Sequence, residues 1–232
     1  ENLTGDPSYD YLKKAIPNLL ITSLEQSKYI DVTSWERLAD LAGFQDRDIV
    51  TAADRDAWFD ICRRERVDII VLGSFTKAES MFATDAKIYD VPTRNLLKSA
   101  GSRGEGIGSI LRSQIDDLSR QISQGAGLSE RAATRHAKPI TEVTTGSMEA
   151  YEYFVKGQES FESYYFDEAR AAFEKAVEKD PSFALPHYYL TRVYSNLADA
   201  PRAVKAMEQF KKLSKVNPGK GKDALYVKAL SA

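Results

Sequence analysis

The sequence predicts a mixed α/β domain, an antiparallel meander with helices packed on it, followed by an all-α array of helical hairpins. Three observations carry this. Between residues 67 and 105 three strand-like runs follow one another across short turns. From Ser147 onward the apolar pattern is helical throughout. Within that second part, small and aromatic residues recur in two units, residues 150–183 and 184–217. The expected organisation is an α/β domain over 1–125, a connection over 126–146 and a repeat region over 147–232.

The first helix is expected where Leu12, Ile16, Leu19, Leu20 and Leu24 share one face. Pro17 either kinks it or sits in its first turn. "YIDVTSW" reads as a short strand, and "WERLADLAG" as a short helix closed by Gly43. Thr51 and Asp54 form a capping box for the helix "DRDAWFDICRRER". Its charges Asp56, Asp60, Arg63 and Arg64 make a solvated face, with Ala57, Trp58 and Ile61 inward.

"VDIIVLGSF" is apolar enough for a central strand. "MFATDAKIYDV" alternates Phe82, Thr84, Ala86 and Ile88 against polar neighbours, after a break at "TKAES". "PTR" turns the chain into the third strand, "NLLKSAGSRG". Ile107, Ile110, Leu111, Ile115, Leu118 and Ile122 then mark the stripe of a helix ended by "SQGAGLS". Residues 126–146 lack a sustained period and carry Gly, Pro, Ser and Thr, as a connection does. Ser147, with Glu149 behind it, caps the next helix.

Composition narrows the function classes. The 232 residues are 43% hydrophobic and 28% charged, ordinary for a globular chain with room for two modest cores. A net charge of -2, from 32 basic and 34 acidic residues, lacks the basic footprint of a nucleic-acid binder. One cysteine, Cys62, rules out an internal disulfide and any Cys-based zinc site, and reads as a buried, inert thiol. No run of about 18 apolar residues is present to span a membrane. Opening on "ENLTGDP", without initiator methionine or signal peptide, the chain reads as a piece of a longer protein.

The repeat can be registered residue by residue. With Ala150 as the first position, Gly157 falls on a small eighth position where helices approach closely. Ala169, Phe173, Ala176 and Pro181 fall on positions 20, 24, 27 and 32. A second unit from Ala184 puts Leu190, Tyr194 and Ala203 on positions 7, 11 and 20. It is weaker, with Met207 and Phe210 in place of the usual pair and Pro218 three residues late. "KDALYVKALSA" follows as a capping helix or a partial third unit. This pattern resembles the tetratricopeptide (TPR) repeat. The resemblance implies a concave groove lined by Tyr151, Phe154, Gln158, Phe161 and Glu162, then Leu185, Tyr188, Arg192, Ser195 and Asn196. The Lys/Asn clamp some repeats use for a C-terminal carboxylate is absent.

The front domain resembles the TolB-like amino-terminal domain and its FlgO-like relatives over about residues 1–124. Asn2 and Gly5, "LLITSLEQS", "VDIIVLGSF" and "AKIYDVPTRNLL" carry the likeness. With TPR repeats behind it, the combination looks like the extracytoplasmic part of bacterial membrane-anchored signalling proteins, which implies a periplasmic location.

No catalytic constellation stands out. "GSRGEGIGS" (Gly101, Gly104, Gly106, Gly108) is neither GxxxxGK[ST] nor GxGxxG, and reads as a flexible strand-to-helix turn. His136 falls in the connection and His187 on a packing position, neither with metal-ligand partners. Asp116 and Asp117 are adjacent and diverge on a helix. Lys211, Lys212, Lys215, Lys220 and Lys222 read as a solvated face. No GxSxG, HRD or DFG is present. The expectation is a non-catalytic interaction module without cofactor or metal, taking a protein or peptide in the groove. The alternative is an α/β domain that senses a small ligand or nucleotide and repositions the repeats.

Overall fold

The computed structural model describes residues 1–33, 55–134 and 137–216. The expected helix at 35–43, the Thr51–Asp54 capping box, His136, Pro218, Lys220, Lys222 and the terminal helix lie outside them. The chain divides into two compact units. One comprises Glu1–Pro7 with residues from Ser23 to Ala137; the other comprises Ser8–Thr22 with the chain from Lys138 onward. The first long helix therefore groups chiefly with the helical hairpins and not with the sheet.

In the first unit, Asn2 accepts from the Thr4 amide at 3.0 Å and the Thr4 hydroxyl at 2.7 Å. Gly5 follows at φ +76°, a conformation a side chain disfavours. A parallel bridge joins Asn2 to Phe75. Ile30–Thr33 form no strand, contrary to the expectation for "YIDVTSW". Only Ile30 and Val32 keep the two-residue alternation there, too short a run to specify a strand.

Helix α2 (Arg55–Arg64; α1 belongs to the second unit, below) buries Trp58, Phe59, Ile61 and Cys62 and exposes Asp56, Asp60, Arg63 and Arg64. The sheet follows: β1 (Ile69–Ala78), β2 (Met81–Asp90) and β3 (Leu96–Glu105), antiparallel in the order β1-β2-β3. The meander is as expected. β2 lies between β1 and β3, and β1 is flanked on its other side by residues 1–3, where Leu3 donates to the Phe75 carbonyl at 2.9 Å and Phe75 to that of Glu1 at 3.0 Å. Phe82, Thr84, Ala86 and Ile88 point one way and are buried; Asp85 and Lys87 point the other and are exposed. On the second face Phe59 meets Tyr89 edge-on at 5.9 Å, and Cys62, Val91, Ile70 and Leu72 join them. Burial raises the Cys62 thiol above its ordinary range, as a structural cysteine requires.

The break expected at "TKAES" narrows to Glu79 and Ser80, with Glu79 at φ 54°. At the other end Asp90 accepts from the Thr93 amide and hydroxyl at 2.7 and 2.5 Å. Those bonds hold its carboxyl below the usual range. Arg94, at φ 59°, reaches Asp56 and Asp60 at 2.7 and 3.0 Å and lies over the Phe59 ring. The loop is thereby pinned to α2.

The glycine cluster is corrected too. Gly101 and Gly104 are strand residues of β3, and only Gly106 (φ 70°) and Gly108 turn the chain. A Cβ on Gly104 would sit 2.6 Å from that of Ser109, so glycine permits this close return. The following helix opens as a π-helical turn, Ile110–Gln114, before α3 (Ile115–Gly125). Of its expected stripe, Ile110, Leu111, Ile115, Leu118 and Ile122 are buried, while Ile107 falls in the turn before the helix and is half-buried. The wide turn carries Gln114 inside, fully buried. There it accepts from Thr84 at 2.7 Å and donates to the Phe82 carbonyl at 3.1 Å and the Ser109 hydroxyl at 2.8 Å. Gln121 exchanges two bonds with the Gly101 backbone, at 3.3 and 3.0 Å, and so covers the outer edge of β3. The connection is more ordered than expected, with α4 (Glu130–Thr134) and α5 (Ile140–Val143) within it.

The second unit contains α1 (Leu12–Leu24) up to Thr22, and the helix buries Leu12, Ala15, Ile16 and Leu19. Pro17 sits inside it on the exposed face, beyond its first turn. Two antiparallel hairpins follow, α6 (Met148–Glu162) with α7 (Phe166–Lys179), and α8 (Ala184–Asn196) with α9 (Ala200–Val216). Ser147 caps α6 by accepting from the Ala150 amide at 3.1 Å, as its sequence position implied. No described helix is long and apolar enough to cross a membrane.

Candidate functional site: an aromatic surface on the helical hairpins

The hairpins are held by an aromatic interior that grows from one close approach. Gly157 of α6 faces Phe173 of α7; a Cβ there would come within 2.6 Å of the ring. Phe173 is fully buried and stacks on Tyr189 at 5.1 Å, with Phe154 at 5.9 Å. Ala169, Ala176, Leu190, Tyr194, Ala203 and Phe210 complete the interior. These are the positions the repeat register singled out.

The geometry recurs as well as the residues. Helices α7 and α9 begin at Phe166 and Ala200, 34 residues apart. Before each, the chain leaves the preceding helix through a left-handed residue, Tyr164 at φ 63° and Ala198 at φ 57°. In both places the next amide bonds five residues back: Tyr165 to the Ser160 carbonyl at 2.9 Å and Asp199 to that of Tyr194 at 2.8 Å. This is the Schellman closure, where glycine is the usual left-handed residue.

Polar contacts set the ends. Asp180, after α7, accepts from the hydroxyls of Thr145 and Ser182 at 2.5 and 2.6 Å and from the Ser182 amide at 2.9 Å. Burial works to raise its carboxyl, but these bonds outweigh it and hold the group below the usual range. A carboxyl with a lowered folded value stabilises fully above its unfolded value of about 4 and loses that contribution as pH falls through the folded one. Wild type is therefore expected to melt above Asp180→Asn at pH 6, with the gap closing towards pH 3. A gap independent of pH over that range would contradict this.

Lys179 pairs with Glu149 at 2.7 Å, a bond that raises the ammonium's affinity for its proton. Lys14 of α1 reaches Glu159 and Glu162 of α6 at 3.4 and 3.5 Å. Burial, with Glu152 nearby, raises the Tyr11 hydroxyl. Tyr194 donates to Glu174 at 2.6 Å; burial and that bond push it to about 12. His187 is lowered by burial, as a packed histidine should be.

The expected groove residues separate into two groups. Tyr151 and Phe154, each 2% exposed, belong to the interior and correct the groove expectation. Their rings pack on Phe183, at 6.0 and 5.1 Å. Gln158 is partly withdrawn, donating to the Tyr189 hydroxyl at 3.0 Å. Phe161 and Tyr188 are half-buried, while Glu162, Arg192, Ser195 and Asn196 are exposed. The Arg192 guanidinium lies 4.6 Å from the Phe161 ring centre and 6.0 Å from that of Tyr188. Asn196 donates back to the Arg192 carbonyl at 2.9 Å.

The sequence reading missed the part of the surface that is most open. Tyr164 and Tyr165, in the turn between α6 and α7, are 80% and 63% exposed. Tyr164 meets Phe166 at 6.1 Å and Phe166 meets Phe161 at 5.7 Å, so the rings form a chain that ends at Arg192. The signal was the adjacent pair "YY" where a helical turn usually has glycine.

No family model, curated protein or solved structure matches this chain.

Proposed function

We propose that this chain is a non-catalytic interaction module: a TolB-like α/β domain joined to a short TPR array that docks a protein or peptide. In this reading it is the extracytoplasmic sensing or adaptor part of a larger, membrane-anchored signalling protein. The observation that carries the docking role is the chain of rings from Tyr164 to Phe161 that meets the exposed Arg192. Tyr and Arg are the residue types that concentrate binding energy at interfaces. The repeat assignment is supported by the close approach at Gly157 and by the 34-residue recurrence of the hairpin turns.

The test is selection from a displayed random peptide library on the immobilised chain. An enriched peptide family should bind the Phe161→Ala/Tyr188→Ala variant at least tenfold more weakly. Circular dichroism should show the variant folded. Failure to enrich any family, or equal binding by the folded variant, would refute the docking role.

A further inference from the structure

We infer that this surface selects a peptide in which a side-chain carboxylate stands beside an aromatic or large apolar side chain, with Arg192 binding the carboxylate. The inference rests on the docking role proposed above and names its ligand chemistry.

Arg192 differs from the other described arginines of its unit. Arg170 and Arg202 pair with Asp167 and Asp199 at 3.1 Å each, one turn away along their own helices. Around Arg192 the positions one turn away are Tyr188, Tyr189, Ser195 and Asn196, so α8 offers it no acid. Among the described residues no carboxylate lies within ion-pair reach of it. Its guanidinium carbon lies instead over the Phe161 and Tyr188 rings, 4.6 and 6.0 Å from their centres. Stacking occupies the flat face of a guanidinium and leaves its N–H edge to bind in the plane. A carboxylate matches that edge with two parallel hydrogen bonds. The charge on offer is single, and Glu159 and Glu162 are already engaged by Lys14. One cation suits a monovalent carboxylate better than a dianionic phosphate, which is ordinarily held by an arginine cluster.

Tyr164 supplies the neighbouring apolar contact. A bulky residue at positive φ is strained, and this one is also 80% exposed. Neither feature stabilises the free chain, whereas a ring held outward by a closed turn is ready to bury against a partner.

The experiment uses fluorescein-labelled octapeptides with an amidated C-terminus and a central Trp. The residue beside the Trp is Glu, Gln or Lys, and binding to the intact chain is read by polarisation. The Glu peptide is expected to bind at least tenfold more tightly than the Gln peptide, and the Lys peptide most weakly. Arg192→Gln should abolish the preference, and Arg192→Lys should keep part of it. Tyr164→Gly provides a variant that should fold at least as well. It is expected to raise the thermal midpoint while weakening the Glu peptide several-fold, opposite signs that a structural role would not produce. Equal binding of Glu and Gln peptides, a preference surviving Arg192→Gln, or binding confined to peptides with a free C-terminal acid would overturn the inference. If library-selected peptides bind without any acid preference, the selectivity fails and the docking role stands. If no peptide binds at all, both fall.

Discussion

Replacing Phe173 with alanine is expected to destabilise the helical unit by about 3–5 kcal/mol, the cost of emptying a well-packed aromatic site. The ring has no exposed surface and touches both hairpins through Phe154 and Tyr189. The reciprocal change is more informative. Gly157→Ala gains about 1 kcal/mol of helix propensity. However, its new methyl would stand 2.6 Å from two atoms of the buried Phe173 ring, which has no room to retreat. Overpacking of that kind costs about 1–3 kcal/mol, so the net effect should be destabilising. Shortening the partner should relieve it. Gly157→Ala in a Phe173→Leu background is expected to cost less than in wild type, a coupling of about 1 kcal/mol or more. Urea unfolding followed by far-UV ellipticity gives all three values. Strict additivity would mean that the two residues do not set the α6–α7 spacing.

Gln114→Leu should be the most damaging polar substitution in the first unit. The volume is kept, but the Phe82 carbonyl and the Thr84 and Ser109 hydroxyls lose their shared partner. Ser109 still donates to the Gly106 carbonyl at 2.7 Å, so the loss falls mainly on Thr84 and Phe82. An unsatisfied buried group costs about 1–3 kcal/mol, and a loss of roughly 3 kcal/mol overall is expected. Tryptophan fluorescence suits the measurement, because Trp58 is buried in the same unit. The double change Thr84→Val/Gln114→Leu should recover part of the loss by removing one orphaned hydroxyl. No recovery would show that the π-helical turn, rather than the hydrogen bonds, carries the effect.

The two units differ in how far their sequence discloses them. In the helical part, local rules and packing agree. The apolar period sets the helices, Ser147 caps one, and small residues at Gly157 and Ala169 stand where helices touch. The burial of Ala169, Phe173, Ala176, Leu190, Tyr194, Ala203 and Phe210 was therefore legible. The groove was legible only in part. Tyr151 and Phe154 share a helix with Phe161, and period alone does not say which aromatic the packing of the hairpins draws inward. In the sheet, the meander with its strand order and the buried face of β2 could be read, yet the pairing of residues 1–3 along the other edge of β1 could not. Alternation tells which side of a strand is covered, not how many neighbours it has.

What the sequence determined by itself is the inventory of elements: three antiparallel strands, a stripe-bearing helix after them, and a run of helices whose first is capped by Ser147, with a close approach at Gly157. All follow from periodicity, turn chemistry and side-chain size within a few residues of one another. The tertiary structure decided what depends on residues far apart. It grouped Ser8–Thr22 with the hairpins, where Lys14 meets Glu159 and Glu162. It drew Gln114 beneath β2 through a π-helical turn. It also brought the guanidinium of the exposed Arg192 over rings from α6 and α8. Contacts of that range arise from the packing of whole elements, whose energy no local window of sequence contains.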